Sequence, residues 1–360
     1  MTTWRSAHIE EVQWPSRLEA SRIIHLSLND TSGFGVTLHL LTQALSAALR
    51  HNKTLVVDGK FSYFRHRGCA GGGRERGAWS CMFQQLHASC PRDILWASSA
   101  PHATYTSNYQ LSNDWHVPTR YNVRGGGGVF FFVSQLSAFV MSPNRHLMML
   151  LRRVKRAIGF LHPIMAVHVR HGDSCPKWED SHSHLPGAKC EAFARYVEGM
   201  MEMHRLYGVT RTFVCTDDPS IIEELPQAVV HTGVPFEWVH LPFDRALFAA
   251  SDWAVELKLL MATMDRRLVA ETTVLDILLM SEADYVIGTL SSHFGALAYE
   301  LSVSSKGFHV PYISLDFPWR SSLLSPVSYY DDTGTTRDRV ELNLNRRDYF
   351  QHKRDAHEPM

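Results

Sequence analysis

The sequence predicts an α/β chain of two Rossmann-like lobes, each built on a parallel sheet. Two observations predict it. Short apolar, β-branched runs alternate with helical Leu/Ala patterns in both halves of the 360 residues, the pattern of βαβ units. Polar and glycine residues fall just after the apolar runs, where such folds hold ligands. The length suits two domains of ordinary size.

Taken in order, residues 1–21 are polar and are expected at the periphery. RIIHLSL (22–28) reads as a buried strand and NDTSGFG (29–35) as a turn-rich loop. A helix over 36–51 follows, with Leu38, Leu41, Leu45 and Leu49 at helical spacing, and then a second strand, KTLVVDG (53–59). Residues 60–128 carry two glycine runs and many aromatics. They read as loops and short helices, with DILWASS (93–99) as a strand. Residues 133–158 are helical with a break at Pro143, a residue suited to the first turn of the second helix. The lobes join near 140–162.

The second half is more regular. Strands are expected at 164–170, 211–217, 236–242, 284–290 and 308–315, and helices at 191–206, 252–264, 270–282 and 291–304. This divides the chain into an N-terminal lobe (22–140), a C-terminal lobe (141–320) and a polar tail (321–360). No internal repeat is visible.

Composition narrows the function. Apolar content of 45% with 20% charged residues marks a globular chain. A formal net charge of zero argues against a nucleic-acid binder relying on bulk electrostatics. The 21 histidines are scattered and no CxxC or HExxH occurs, so no metal site is expected. The six cysteines are even in number, and Cys175 and Cys190 bracket one polar loop suited to a disulfide. Asn29 and Asn52 open glycosylation sequons. The first 30 residues hold no apolar run suited to a signal peptide or anchor, and no stretch reaches ~20 apolar residues. The chain is expected to be soluble, or anchored through a segment outside it.

Four strand ends carry the chemistry. Gly33-Phe34-Gly35 lies between a strand and a helix start, where glycines let backbone N–H groups approach a phosphate; the alternative is an ordinary tight turn. Arg170 ends an apolar strand, followed by His171 and Asp173 and preceded by His168. A fixed guanidinium suits diphosphate oxygens; equally, it suits an ion pair with Asp173 or Asp217. Asp217 and Asp218 follow the third strand of interest. Thr289, Ser291, Ser292 and His293 precede an apolar helix, as a helix cap or a phosphate seat. Asp276 interrupts an apolar helical run and must be paired, with an arginine or with the N–H groups of a guanine base.

These residues carry a resemblance. HPIMAVHVRHGDS resembles the HxRxxD segment of the α1,6-fucosyltransferases, the family that core-fucosylates N-glycans and includes the rhizobial Nod-factor enzymes. VFFFVSQLSAFVMSPNRHLMMLLRRVKRAIGFLHP, FVCTDDPSII, TTVLDILLMSEADYVIGTLSSHFGALAYEL and GFGVTLHLLTQALSAALRHNKTLVVDG are similar to further segments of that family, in the same order from about residue 30 to 315. The resemblance implies a GT-B-like fold and an inverting, metal-independent transfer of L-fucose from GDP-β-L-fucose, without a cofactor. The acceptor is expected to be an oligosaccharide or glycoprotein bearing GlcNAc, an N-glycan core or chitin-like chain, fucosylated by α1,6 linkage. By the same resemblance Arg170 holds the diphosphate. His168 and Asp276 read guanine, and Ser291, Ser292 and His293 meet the donor beside the Gly33–Gly35 loop. Asp173, Asp217 and Asp218 line the acceptor side or brace the site. The expected compartment is the Golgi or secretory lumen for a eukaryotic source and the cytoplasm otherwise.

The pattern also departs from the family. Ser174 stands where the family commonly has Lys, and Trp178 where it has a Glu suited to be the base. Lys177, Glu179 and Asp180 are adjacent, so the resemblance puts the base at Glu179 or Asp180, with Glu179 favoured. No SH3-like module or coiled-coil stem is evident, as in a minimal catalytic unit. Three other readings compete: a protein O-fucosyltransferase-like enzyme, a non-catalytic nucleotide-sugar or glycan-binding module, and a dinucleotide oxidoreductase. The missing third glycine of GxGxxG counts against the last.

Overall fold

The structure is a computed structural model of the chain. It describes residues 3–19, 22–28, 33–59, 61–64, 79–87, 104–106, 117–118, 128–172, 191–248, 255–261, 263–316 and 319. Among these, two parallel sheets carry the fold.

The first sheet contains β1 (Ile23–Leu28), β2 (Thr54–Gly59) and β3 (Thr104–Thr106) in the order β2-β1-β3. β1 and β2 pair in parallel with Leu26 opposite Val57. The crossover between them is α2 (Phe34–Arg50), where Leu38, Leu41 and Leu45 are fully buried, as their spacing predicts. The strand expected at 93–99 lies outside the described residues. The first lobe's third strand is β3, which pairs with β1 in parallel.

Residues 1–21 are not simply peripheral. They contain a helix, α1 (Thr3–Gln13), with Ile9 and Val12 in the core; the Thr54 hydroxyl donates to the Val12 carbonyl at 2.8 Å. Ile9 and Val12 are three apart and share a helix face, a stripe too short to stand out in a polar segment.

Helices α3 (Gly128–Val140) and α4 (Arg145–Ile158) link the lobes. The break falls as expected, but Pro143 does not enter the second helix. Asn144 is its cap, accepting from the Leu147 amide at 2.9 Å, and Pro143 precedes that cap.

The second sheet has five strands: β4 (Met165–Val169), β5 (Arg211–Thr216), β6 (Glu237–Val239), β7 (Tyr285–Gly288) and β8 (Tyr312–Ser314). Their order is β6-β5-β4-β7-β8 and all pairs are parallel. Counted from β4, this is the doubly wound order 3-2-1-4-5, and the order reverses between β4 and β7. Along β4 the faces alternate. Met165, Val167 and Val169 pack with one core cluster, and Ala166 packs with the other.

The crossovers include α5 (Phe193–Tyr207), α8 (Arg266–Glu282) and α9 (His293–Lys306), near their expected positions. The helix expected at 252–264 is shorter, α7 (Val255–Leu260). An additional helix, α6 (Pro219–Val230), runs through Pro226, a residue that argues against a helix when the sequence is read alone. Asp218 caps it and Pro219 fills its first turn.

The lobes share apolar packing. One cluster runs from Leu26, Phe34 and Leu38 to Ala166, Phe213, Leu275 and Leu297. Helices α2, α3 and α9 pack together at this junction. No helix among the described residues is long and apolar enough to cross a membrane.

Candidate functional site

The crevice at a reversal of strand order is where open α/β sheets bind ligands. Here it lies beyond the carboxyl ends of β4 and β7, and the structure brings His168, Arg170, Asp276, Ser291, Ser292 and His293 towards it. Asp173, Lys177, Glu179 and Asp180 lie outside the described residues, as do Cys175 and Cys190.

Arg170 follows β4 and pairs with Asp217. Asp217 Oδ1 also accepts from the amides of His171 (3.0 Å) and Gly172 (2.9 Å). A Cβ on Gly172 would sit 2.5 Å from Asp217 Oδ2, so only glycine permits this approach. The arginine stays one-quarter exposed. The pairing with Asp217 that the sequence leaves open is formed, while Asp173 lies outside the described residues. Asp218 caps α6, accepting from Ser220 N at 2.9 Å, and lies 3.5 Å from His171 Nδ1.

His168 and Asp276 are both buried. His168 stacks on Phe294 with ring centroids 5.0 Å apart. Burial, and next the charge of Arg170, lower the His168 pKa to about 3, so the ring is neutral at physiological pH. Burial raises the Asp276 pKa to about 7, although Arg245 and a hydrogen bond with Cys215 oppose the rise. Cys215 is the register partner of His168 across β4 and β5. His168 Nδ1, Asp276 Oδ1 and Arg245 Nη2 are buried with no hydrogen-bond partner in the protein.

Arg245 is a member of this group that sequence reading missed. Its side chain is buried over the Phe243 ring, and Nε donates to the Thr216 carbonyl at 3.2 Å. In sequence it sits in a loop after a short strand, and only the fold brings it towards Asp276.

The opposite wall is made where two helices begin. A Cβ on Gly35 would lie 2.8 Å from the His293 carbonyl carbon and 2.9 Å from the Phe294 amide nitrogen. The glycine motif therefore lets the starts of α2 and α9 touch backbone to backbone. Gly295 plays a similar part, since a Cβ there would meet Thr289 O at 2.9 Å and His168 Nδ1 at 3.1 Å. Asp316 accepts from the amides of Leu290 (3.0 Å) and Ser291 (3.3 Å) and from the Ser291 hydroxyl. Ser291 is thus held by an internal carboxylate. Ser292 precedes α9 but makes no side-chain cap bond.

Behind this wall lies a second group missing from the sequence reading. His39 on α2 and Glu300 on α9 are fully buried. His39 Nδ1 is 2.7 Å from His293 Nδ1, and His39 Nε2 is 3.3 Å from Glu300 Oε2. Ser137 donates to Glu300 Oε2 at 2.7 Å, and Trp319 to Oε1 at 2.8 Å. A histidine and a glutamate inside apolar helical runs were the available signal, because each needs a buried partner.

Arg170, a helix start and the orphaned polar atoms are the kinds of group that a nucleotide diphosphate needs. Among the described residues no group of three or more His, Cys, Asp or Glu is placed to hold a metal ion.

Parts of the chain are similar to known proteins. Residues 121–234 match the family model for alpha-(1,6)-fucosyltransferase N- and catalytic domains. The chain is 22% identical over 315 residues to an alpha-(1,6)-fucosyltransferase of Drosophila melanogaster, covering 81% of this chain and 45% of that protein. It therefore spans about half the length of that relative. It is also similar to the crystal structure of the fucosyltransferase NodZ from Bradyrhizobium, at 15% identity and a TM-score of 0.46, over 79% of this chain and 93% of that one. The crystal structure of POFUT1 in complex with GDP-fucose gives 12% identity and a TM-score of 0.47, over 82% and 98%. The segment that matches the alpha-(1,6)-fucosyltransferase model contains β4 and the Arg170 that follows it.

Proposed function

We propose that this protein transfers L-fucose from GDP-β-L-fucose to a GlcNAc-containing glycan by α1,6 linkage with inversion. The observation that carries the reading is the pairing of Arg170, braced by Asp217, with the buried set His168, Asp276 and Arg245. The first suits a diphosphate and the second a base. A guanine presents N–H donors on one edge and O6 and N7 acceptors on another. Asp276 Oδ1 suits the donors and Arg245 Nη2 the acceptors. Adenine and uracil also carry a donor and an acceptor, but neither has guanine's adjacent N–H donors for a carboxylate together with its paired O6 and N7 acceptors for a guanidinium.

In this reading Arg170 neutralises charge developing on the departing diphosphate, and the amides at the starts of α2 and α9 add to it. Ser292 is a closer candidate for phosphate contact than Ser291, whose hydroxyl Asp316 holds. Transfer proceeds without a bound metal, in a secretory or cytoplasmic compartment set by the source. The acceptor is an N-glycan core or chitin-like oligosaccharide.

A thermal-shift screen tests the donor class, with GDP against UDP, ADP and NAD. Selective stabilisation by GDP is expected; equal response to NAD or ADP overturns the reading. Transfer of fucose to an N-glycan or chitin oligomer, compared with a folded peptide domain, then tests the acceptor.

A further inference from the structure

We infer that His293 is the group that takes the proton from the attacking acceptor hydroxyl, through a buried relay to His39 and Glu300. This rests on the fucosyl-transfer reading above. The argument begins at the buried end. Glu300 takes hydrogen bonds from the Ser137 hydroxyl and the Trp319 indole, so its carboxylate is held as an acceptor. His39 Nε2 faces that carboxylate at 3.3 Å and must carry a proton to do so. A neutral imidazole bears one N–H, so His39 Nδ1 is left as an acceptor.

His293 Nδ1 meets His39 Nδ1 at 2.7 Å, and two lone pairs cannot meet there. His293 Nδ1 is therefore the donor, and its Nε2 carries the lone pair. A phosphate oxygen needs a donor, so this tautomer does not suit phosphate binding. It suits a hydroxyl, which can donate. His293 opens α9 beside Gly35 and is not fully buried, and its neighbour Phe294 stacks on His168 of β4, two residues before Arg170. Burial and His39 keep it neutral, lowering its pKa to about 3. The three residues repeat the logic of a base oriented by a second group and stabilised by a third.

The step balances. The acceptor oxygen forms a bond to the anomeric carbon, and the bond from that carbon to the diphosphate oxygen breaks. GDP leaves with the electron pair. The hydroxyl proton goes to His293 Nε2 as the Nδ1 proton passes to His39. The new imidazolium then lies against the Glu300 carboxylate, so His293 itself stays neutral and no unpaired charge is buried. His39 and Glu300 act as positioning residues.

The test has two parts. Nitrogen-15 NMR of the histidine rings in the full chain reads the tautomers without any substrate. The expected result is Nδ1–H on His293 and Nε2–H on His39; Nε2–H on His293 overturns the proposal. Kinetics with GDP-fucose and a glycan acceptor then compare His293→Gln and Glu300→Gln with Glu179→Gln and Asp180→Asn. His293→Gln is expected to lower kcat at least about 100-fold, while GDP affinity and melting temperature hold. Added imidazole should restore part of the activity of His293→Ala. A kcat that survives His293→Gln overturns the proposal, as does loss of GDP affinity in step with kcat. If the unsubstituted protein fails to bind GDP, the donor reading fails, and the tautomers still report on the relay.

Discussion

Asp217 both pairs with Arg170 and fastens the backbone that follows it, through the amides of His171 and Gly172. One carboxylate thus holds both the arginine and the backbone of His171 and Gly172. An arginine so prearranged spends little entropy on meeting a diphosphate.

Arg170→Ala is therefore expected to abolish measurable transfer, by about 100-fold or more, and to weaken GDP binding in a protein that stays folded. Asp217→Asn should keep the fold and part of the GDP affinity but lower kcat, because the guanidinium loses its brace. Steady-state kinetics with GDP titrations separate the two. Unchanged kinetics in Arg170→Ala would remove the site from consideration.

Gly35→Ala tests the meeting of the two helix starts. The added methyl would stand 2.8–2.9 Å from backbone and Cβ atoms of His293 and Phe294, which have little room to yield. The expected cost is about 1–3 kcal/mol, read as a lower melting temperature, with loss of transfer as the wall opens. An alanine variant with unaltered stability and activity would contradict that contact.

Base selectivity should depend on Arg245. Arg245→Met removes the donor to the acceptor edge of guanine and leaves Asp276 without its cationic neighbour. GDP affinity is expected to fall about 10–100-fold, with the preference over UDP and ADP narrowed. Competitive binding by calorimetry checks this, and retained selectivity would assign Arg245 to the core alone.

The pH dependence of stability has a worked sign. His168 and His293 have folded pKa values of about 3, below their ordinary 6.5, so each contributes stability present above 6.5 and lost as pH falls through the folded value. Asp276 is the reverse. Its folded pKa of about 7 exceeds the ordinary 3.8, so its stability is present below 3.8 and is lost as pH rises towards 7. Near pH 5 the unfolded chain binds two more protons through the histidines and one fewer through Asp276. For these three groups, stability rises with pH by the linkage of one proton. Asp276→Asn should raise that to two, measured as a steeper acid limb in denaturant melts from pH 4 to 6.

Transfer should also survive chelation. If Arg170 and the helix amides neutralise the leaving diphosphate, EDTA leaves the rate largely intact. A strict requirement for Mn²⁺ would point to a different means of neutralising it.

Much of the fold is legible in the residues because it rests on local rules. Leu38, Leu41 and Leu45 mark α2 by spacing alone, and the apolar run before Arg170 marks β4. The misses have local causes too. Pro226 hides α6, and α1 has too few apolar residues to advertise Ile9 and Val12. The strand-end residues could be listed from sequence, but not their partners.

By itself the sequence determined the parallel α/β architecture and Arg170 at the end of β4. Hydrophobic periodicity and turn chemistry act over a few residues, so they can be read from a few residues. Only the tertiary structure decided that Arg170 pairs with Asp217, that Asp316 holds Ser291, and that Arg245 comes towards Asp276. It alone joined His39, His293 and Glu300, which stand 254 and 261 residues apart along the chain. A buried polar group must find a partner wherever the packing of helices supplies one, and that choice is set by which faces meet, not by the distance in sequence.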